Sequence, residues 1–306
     1  MILITAPVHD IMIETFKKNG LDFEYIPTAD YQLLFDKIEF ATGIVIATQI
    51  TIDKKILDRA NQLKWIARLG SGMEHIDTVY AESKSILCIS SPEGNSNAVA
   101  EHALGLLLNL VRNISKSAVE IKEMKWLRNE NRGMELSGKV AGIIGYGNTG
   151  AQFAKILSAL GMKVLAYDKY KKGFETAFIK ESTVEEIANF ADVVSFHLPY
   201  NKETNHFGNK DFFSSLKKQA VILNTSRGKI IDTVALIDAL QQKQIRAAAL
   251  DVLENEKLKE LSEKQHDQLV WLNAQENVLL TPHIAGYTFE AAYKMSKILL
   301  EKLEIY

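Results

Sequence analysis

The chain has 306 residues and a formal charge of -2, with 47% hydrophobic and 24% charged side chains. That length exceeds what one core usually fills, so two domains are expected, and the near-neutral balance removes any electrostatic case for nucleic acid or an anionic membrane as partner. The single cysteine, Cys88, can form no internal disulfide, and "MILITAP" has neither a basic leader nor a cleavage site, so a cytoplasmic location is expected.

Short Ile- and Val-rich runs alternate with helical patterns from the first residues: "ILIT", then a helix to about Lys18, "FEYIP", "GIVIAT", "DKKILDRANQL", "WIARL" and "LCIS". That alternation predicts parallel strands with crossover helices, a first α/β unit ending near Ser90. A long helical pattern over 96–126 follows. Its most apolar stretch, "ALGLLLNLV", is far short of the ~20 residues that cross a bilayer. The strands "KVAGIIG", "KVLAYD", "VVSFHL", "AVILNTS", "AAALDV" and "NVLLT" then predict a second doubly wound sheet of six strands. The final helical stretch, "FEAAYKMSKILLEKLEIY", comes after that sheet is complete and is free to return to the first unit. The expected organisation is α/β with two doubly wound parallel-sheet domains: a flavodoxin-like substrate domain from 1–95 plus 285–306, and a Rossmann domain over 96–284, with a cleft between them.

"GIIGYGNTG" places Gly145, Gly147 and Gly150 at G-x-G-x-x-G spacing. Alone the spacing is weak, but here a strand precedes it, a helix follows, and the next strand ends in an acid, as a dinucleotide site requires. Gly145 permits the tight turn, Gly147 the approach of the pyrophosphate and Gly150 close helix packing. The amides of Asn148 and Thr149 sit at the positive end of the helix dipole. Asp168, 23 residues after Gly145, is placed to accept hydrogen bonds from the adenine ribose hydroxyls and to repel a 2′-phosphate. The expected cofactor is NAD, although Lys169, Lys171 and Lys172 follow closely and could compensate a phosphate.

A nicotinamide enzyme acting on an alcohol needs a base for the hydroxyl proton and a cation for the substrate's oxygens. His283 in "TPHIAGYT" and Arg227 in "NTSRG" both follow strands at the edge where open α/β sheets bind ligands. Each has a plainer reading, as a structural histidine and an exposed ion pair. Glu256, in "ENEKLKELSEK", reads most simply as part of a solvated charged helix. A metal enzyme is disfavoured, because H-E-x-x-H and clustered cysteines are absent and His197 and His206 have no third ligand at plausible spacing.

Together, "RLGSGMEHID", "SNAVAEHALGLLL", "NTSRGKIIDTVALIDALQQKQIRAAALDVLENE" and "VLLTPHIAGYT" resemble the D-isomer-specific 2-hydroxyacid dehydrogenases from about Gly43 to Ser296. The resemblance implies a catalytic trio of Arg227, Glu256 and His283. Arg227 would clamp the substrate's carboxylate, His283 would exchange the proton, and Glu256 would hold and charge the histidine. It implies carboxylate binding by the amides of Ser71 and Gly72, and cofactor contacts from Pro199, Thr204, Thr225, Ser226, Asp251 and Gly286. It also implies a small 2-oxo or 2-hydroxy acid substrate and a homodimer through 97–125. Departures from the family pattern are Glu74 in place of aspartate, Lys257 in place of proline, and a longer segment between Glu256 and Asn277. D-3-phosphoglycerate dehydrogenases belong to the same resemblance, but the arginine they often use for phosphate appears here as Ala47 or Thr48, and no regulatory domain is expected after Tyr306. NAD(H)-sensing corepressors keep the fold as well, and form the competing, non-enzymatic expectation.

Overall fold

Two parallel sheets carry the chain, and the computed structural model describes all of residues 1–306. One compact unit comprises 1–96 and 287–306, the other 97–286. The first unit runs β1 (Ile2–Ile4), α1 (Asp10–Lys18), β2 (Phe23–Tyr25), α2 (Tyr31–Lys37), β3 (Gly43–Ile46), α3 (Lys54–Arg59), β4 (Trp65–Arg68), α4 (Thr78–Ser83) and β5 (Leu87–Ser90). Its strand order is β2-β1-β3-β4-β5. Successive residues of each strand feed opposite faces, as the pleat requires. Leu3, Ile44 and Ile66 pack with Leu34, Ile56 and Leu57 of α2 and α3. Ile4, Val45 and Ala67 pack with Met12 and Phe16 of α1 and with Leu299 and Leu300. Those last two belong to the C-terminal helix over Phe289–Lys302, which therefore covers one face of a sheet made at the other end of the chain.

The second unit runs α5 (Ser96–Arg112), α6 (Ile114–Lys122), β6 (Val140–Ile144), α7 (Asn148–Ala159), β7 (Lys163–Tyr167), β8 (Ile179–Glu181), α8 (Val184–Phe190), β9 (Val193–Phe196), α9 (Lys210–Ser215), β10 (Val221–Asn224), α10 (Thr233–Gln241), β11 (Ala247–Leu250), α11 (Glu263–Asn273) and β12 (Val278–Leu280). The order β12-β11-β10-β9-β6-β7-β8 turns back on either side of β6, so the reversal of strand direction in sequence lies between β6 and β9. Val193, Val221 and Leu223 face α5 and α7, and Val194, Ile222 and Leu250 face α8, α9 and α10. Burial on both faces is why these strands read as unbroken apolar runs.

Two features differ from the sequence expectation. The sheet has seven strands, because "IKE" forms β8 beside β7. The helical pattern over 96–126 is broken at Asn113, which adopts the left-handed conformation (φ 53°). Asn109 stabilises the restart: its side chain accepts from the Ser115 amide at 2.8 Å and donates to the Ser115 hydroxyl at 2.7 Å. Asparagine tolerates that backbone region better than most residues. No helix is long and apolar enough to cross a membrane.

Candidate active site

The glycine loop joins β6 to α7. Gly145 has φ 96°, and a Cβ there would press into the His197 carbonyl. A Cβ at Gly150 would collide with the Gly145 carbonyl, so the loop and the first turn of α7 touch backbone to backbone. Gly147 differs, since a Cβ there would meet nothing within 4 Å. Gly147 is also the N-cap of α7, and no side chain caps that helix. The amides of Asn148, Thr149 and Gly150 therefore begin the helix uncapped beneath open space, which fits a pyrophosphate at the positive end of the dipole.

Asp168 directly follows β7. One carboxylate oxygen accepts from the Tyr146 amide at 2.9 Å, and the other from the Tyr170 and Lys171 amides, both at 2.9 Å. Burial pushes the pKa of this carboxyl upward, but the three amide donors and the Lys171 charge outweigh it and hold the group below the usual aspartate range. Three amides leave lone-pair capacity on an ionised carboxylate for ribose hydroxyls. The loop beyond Asp168 folds back on the glycine loop, stacking Phe174 on Tyr146 with centroids 4.1 Å apart.

Pro199 and Thr204 lie on the loop after β9. The Thr204 hydroxyl donates to the Pro199 carbonyl at 2.7 Å and accepts from the Asn201 amide at 2.8 Å, which fixes the turn. His197 sits beneath the glycine loop, partly buried, with Nε2 2.9 Å from the Ser195 hydroxyl. Burial lowers its pKa to about 4, so its ring is neutral under ordinary conditions. After β10, Thr225 is buried and its hydroxyl has no hydrogen-bond partner in the chain. An orphaned buried hydroxyl at the carboxyl edge of a dinucleotide-type sheet is a second feature that fits a bound group there. Asn224, which the sequence reading did not single out, accepts from the Ser226 amide and hydroxyl at 3.0 and 2.8 Å and donates to the Arg227 carbonyl at 2.9 Å, shaping the turn that presents Arg227.

Arg227, Glu256 and His283 leave the adjacent parallel strands β10, β11 and β12 at the same sheet edge. Gly228 lies against the Leu253 carbonyl so closely that no Cβ fits, which joins the Arg227 turn to the segment leading to Glu256. The Glu256 carboxylate meets His283 Nδ1 at 2.8 Å. The charged-helix reading of Glu256 does not hold, because Glu256 lies in no helix: a single 3-10 turn over Leu258–Glu260 follows it, and the helix α11 starts only at Glu263. The added segment instead ends in a helix that buries Leu272 in the core beneath α10.

His283 has φ 55°, a left-handed conformation that is uncommon outside glycine. The buried carboxylate of Asp251 anchors the loop around it. One oxygen accepts from the Thr281 hydroxyl at 2.6 Å and the Ile284 amide at 3.0 Å, the other from the Ala285 amide at 2.8 Å, and the His283 amide donates to the Asp251 carbonyl at 2.8 Å. His102 adds its Nε2 to the Thr281 hydroxyl at 3.1 Å, a contact that nothing in the local sequence signals. Gly286 closes this loop at the end of the unit. Ser71 and Gly72 belong to the other unit, where they follow β4 after Gly70, whose φ is 116°. No group of three or more His, Cys, Asp or Glu side chains is placed to hold a metal ion.

Residues 104–285, more than half of the chain, match the family model for the D-isomer specific 2-hydroxyacid dehydrogenase, NAD binding domain. The chain is 34% identical over 304 residues to D-3-phosphoglycerate dehydrogenase of Archaeoglobus fulgidus, covering 99% of this chain and 56% of that protein, so it spans about half the length of that relative. It is 35% identical over 257 residues to hydroxypyruvate reductase of Thermotoga maritima, covering 84% of this chain and 81% of the relative. Among solved structures, D-lactate dehydrogenase from Aquifex aeolicus, crystallised with NAD and lactic acid, superposes with a TM-score of 0.86 at 26% identity over 99% of this chain and 94% of that one. The glycine loop, Asp168 and the edge bearing Arg227, Glu256 and His283 thus sit within a matched NAD-binding domain, and the chain belongs to the D-isomer specific 2-hydroxyacid dehydrogenase family.

Proposed function

We propose that the protein is an NAD-dependent dehydrogenase of D-2-hydroxy acids, equally described as a 2-oxo acid reductase. The observation that carries this reading is the hydrogen-bonded His283–Glu256 pair at the sheet edge that also presents Arg227. NAD, when bound, accepts or supplies the hydrogen and electron pair exchanged at the substrate's C2. The chain does the rest. Arg227 offers a forked cation for the substrate's carboxylate and 2-oxo group. His283 Nε2, opposite the nitrogen held by Glu256, donates a proton to the 2-oxo oxygen in reduction and accepts it in oxidation. Glu256 holds Nδ1 and so orients the ring, and Asp251 fixes the loop that carries it.

Hydroxypyruvate or another unphosphorylated 2-oxo acid is the proposed substrate, since Ala47 and Thr48 stand where phosphate-handling relatives often have arginine. The hydroxypyruvate reductase relative supports this choice, and the D-3-phosphoglycerate dehydrogenase relative defines its rival. A panel of glyoxylate, pyruvate, hydroxypyruvate and phosphohydroxypyruvate, followed by NADH absorbance, decides between them. Hydroxypyruvate or another unphosphorylated acid is expected to match or exceed the phosphorylated compound in kcat/KM. A much higher value for phosphohydroxypyruvate reverses the substrate assignment.

The proposed assembly is a homodimer. Ile114, Val119 and Ile121 of α6 are about half exposed, and Met124 and Trp126 just beyond it are 93% and 79% exposed. Exposed apolar side chains clustered along this segment suit a contact with a second copy. Sedimentation is expected to show a dimer for the wild type and a monomer for Trp126→Glu; a wild-type monomer rejects the assignment.

A further inference from the structure

The three lysines that follow Asp168 are the natural receptors for a 2′-phosphate, and the structure shows each of them engaged. Lys169 places its ammonium 2.6 Å from the Glu203 carboxylate and 5.4 Å from the centre of the Tyr170 ring. The Tyr170 hydroxyl donates to the same Glu203 oxygen at 3.1 Å. Lys172 donates to the Asp168 carbonyl at 3.2 Å and lies 3.5 Å from Glu181. Lys171 sits 5.2 Å from the centre of the Tyr146 ring.

Glu203 comes from a different part of the sheet. Asp168 and its lysines follow β7, Glu203 is on the loop after β9, and β6 lies between those strands and feeds the glycine loop. The Glu203 contacts therefore tie together the loops on either side of the strand over which an open α/β sheet binds its dinucleotide. A nicotinamide dinucleotide whose adenine ribose meets Asp168 would turn its 2′-position toward the loop that begins with Lys169. A phosphate there would find Lys169 already neutralised and would face the Glu203 charge in addition to that of Asp168.

We propose that Glu203 is a second determinant of the preference for NAD over NADP, a positioning residue that acts by holding Lys169 and Tyr170 away from a 2′-phosphate. This rests on the reading of Asp168 as the ribose ligand. The same arrangement predicts the route by which the preference weakens. Removing the Glu203 charge frees Lys169 without touching the glycine loop, Asp168 or the catalytic edge. Because Lys169 and Glu203 are more than half exposed, water and salt screen the effect, and a change of about fivefold is expected rather than a complete reversal.

The test is direct binding of NADH and NADPH to the full chain, followed by nicotinamide fluorescence. Wild type is expected to bind NADH more tightly than NADPH. Glu203→Gln is expected to tighten NADPH about fivefold while changing NADH less than about twofold, with the gain shrinking as salt rises. Adding Lys169→Ala to Glu203→Gln is expected to cancel the gain. If Glu203→Gln leaves NADPH binding unchanged, tightens both cofactors equally, or keeps its gain without Lys169, the proposal is overturned while NAD binding stands. If the wild type binds NADPH as well as NADH, or binds neither, the reading of Asp168 fails and takes the proposal with it.

Discussion

Replacing His283 by asparagine is expected to lower kcat/KM for 2-oxo acid reduction by about 10²- to 10⁴-fold, the range for removing a general acid, while NADH binding changes less than about twofold. Asparagine is the informative substitution because it tolerates the left-handed backbone that His283 adopts at φ 55°. The loop and its anchors on Asp251 then survive, and only the proton donor is lost. Glu256→Gln tests the same contact from the other side. The glutamine keeps a hydrogen bond to Nδ1 but removes the negative charge. Its kcat/KM for reduction is expected to fall about tenfold, the equivalent of about 1.4 kcal/mol of lost interaction with the ring. Neutralising a glutamate with no part in the site would instead leave kcat/KM nearly unchanged. Wild-type rates in both variants would remove His283 from the chemistry.

The second large effect is expected from the glycine loop, where two neighbouring glycines should fail in different ways. At Gly147, φ is -82° and an added Cβ would enter open space, so Gly147→Val should fold with nearly unchanged stability. The open space is where the pyrophosphate approaches, and NADH binding should weaken by at least about tenfold. At Gly150 even a methyl group meets the Gly145 carbonyl. Gly150→Ala should therefore cost on the order of 1–3 kcal/mol in stability, as an overpacked site does, in addition to weakening NADH. Urea unfolding and NADH titration separate the two. Equal stability losses in both variants would show that Gly147 is needed for folding rather than for the ligand.

These contrasts also show what the sequence discloses. Strands buried on both faces, such as "VILN" and "AAAL", announce themselves as continuous apolar runs, so the α/β class and the strand–glycine–helix unit were legible directly. The edge strand "IKE" was not, because three residues with a polar centre carry no apolar signal and are held by pairing to β7. The break at Asn113 was hidden for the opposite reason: the apolar helical pattern continues on both sides, and only the Asn109–Ser115 contact reveals the restart. Glu256 lies in a run of charges that resembles any solvated helix, and its bond to His283 joins residues 27 positions apart. Composition and periodicity cannot encode that pairing, and only the family resemblance pointed to it. The contact between Lys169 and Glu203 spans 34 positions across two crossovers and left no mark in local sequence at all.

If this chain moves hydrogen between nicotinamide and C2 of a 2-oxo acid, with His283 handling the proton, NADH carrying deuterium at the transferable nicotinamide position must pass its label on when the best acid from the substrate panel is reduced. Product NMR and chiral analysis are predicted to find the deuterium at C2 of the D-2-hydroxy acid and the hydroxyl proton drawn from solvent. Tight NADH binding with no turnover of any acid, an L product, or deuterium lost to water would rule out this transfer.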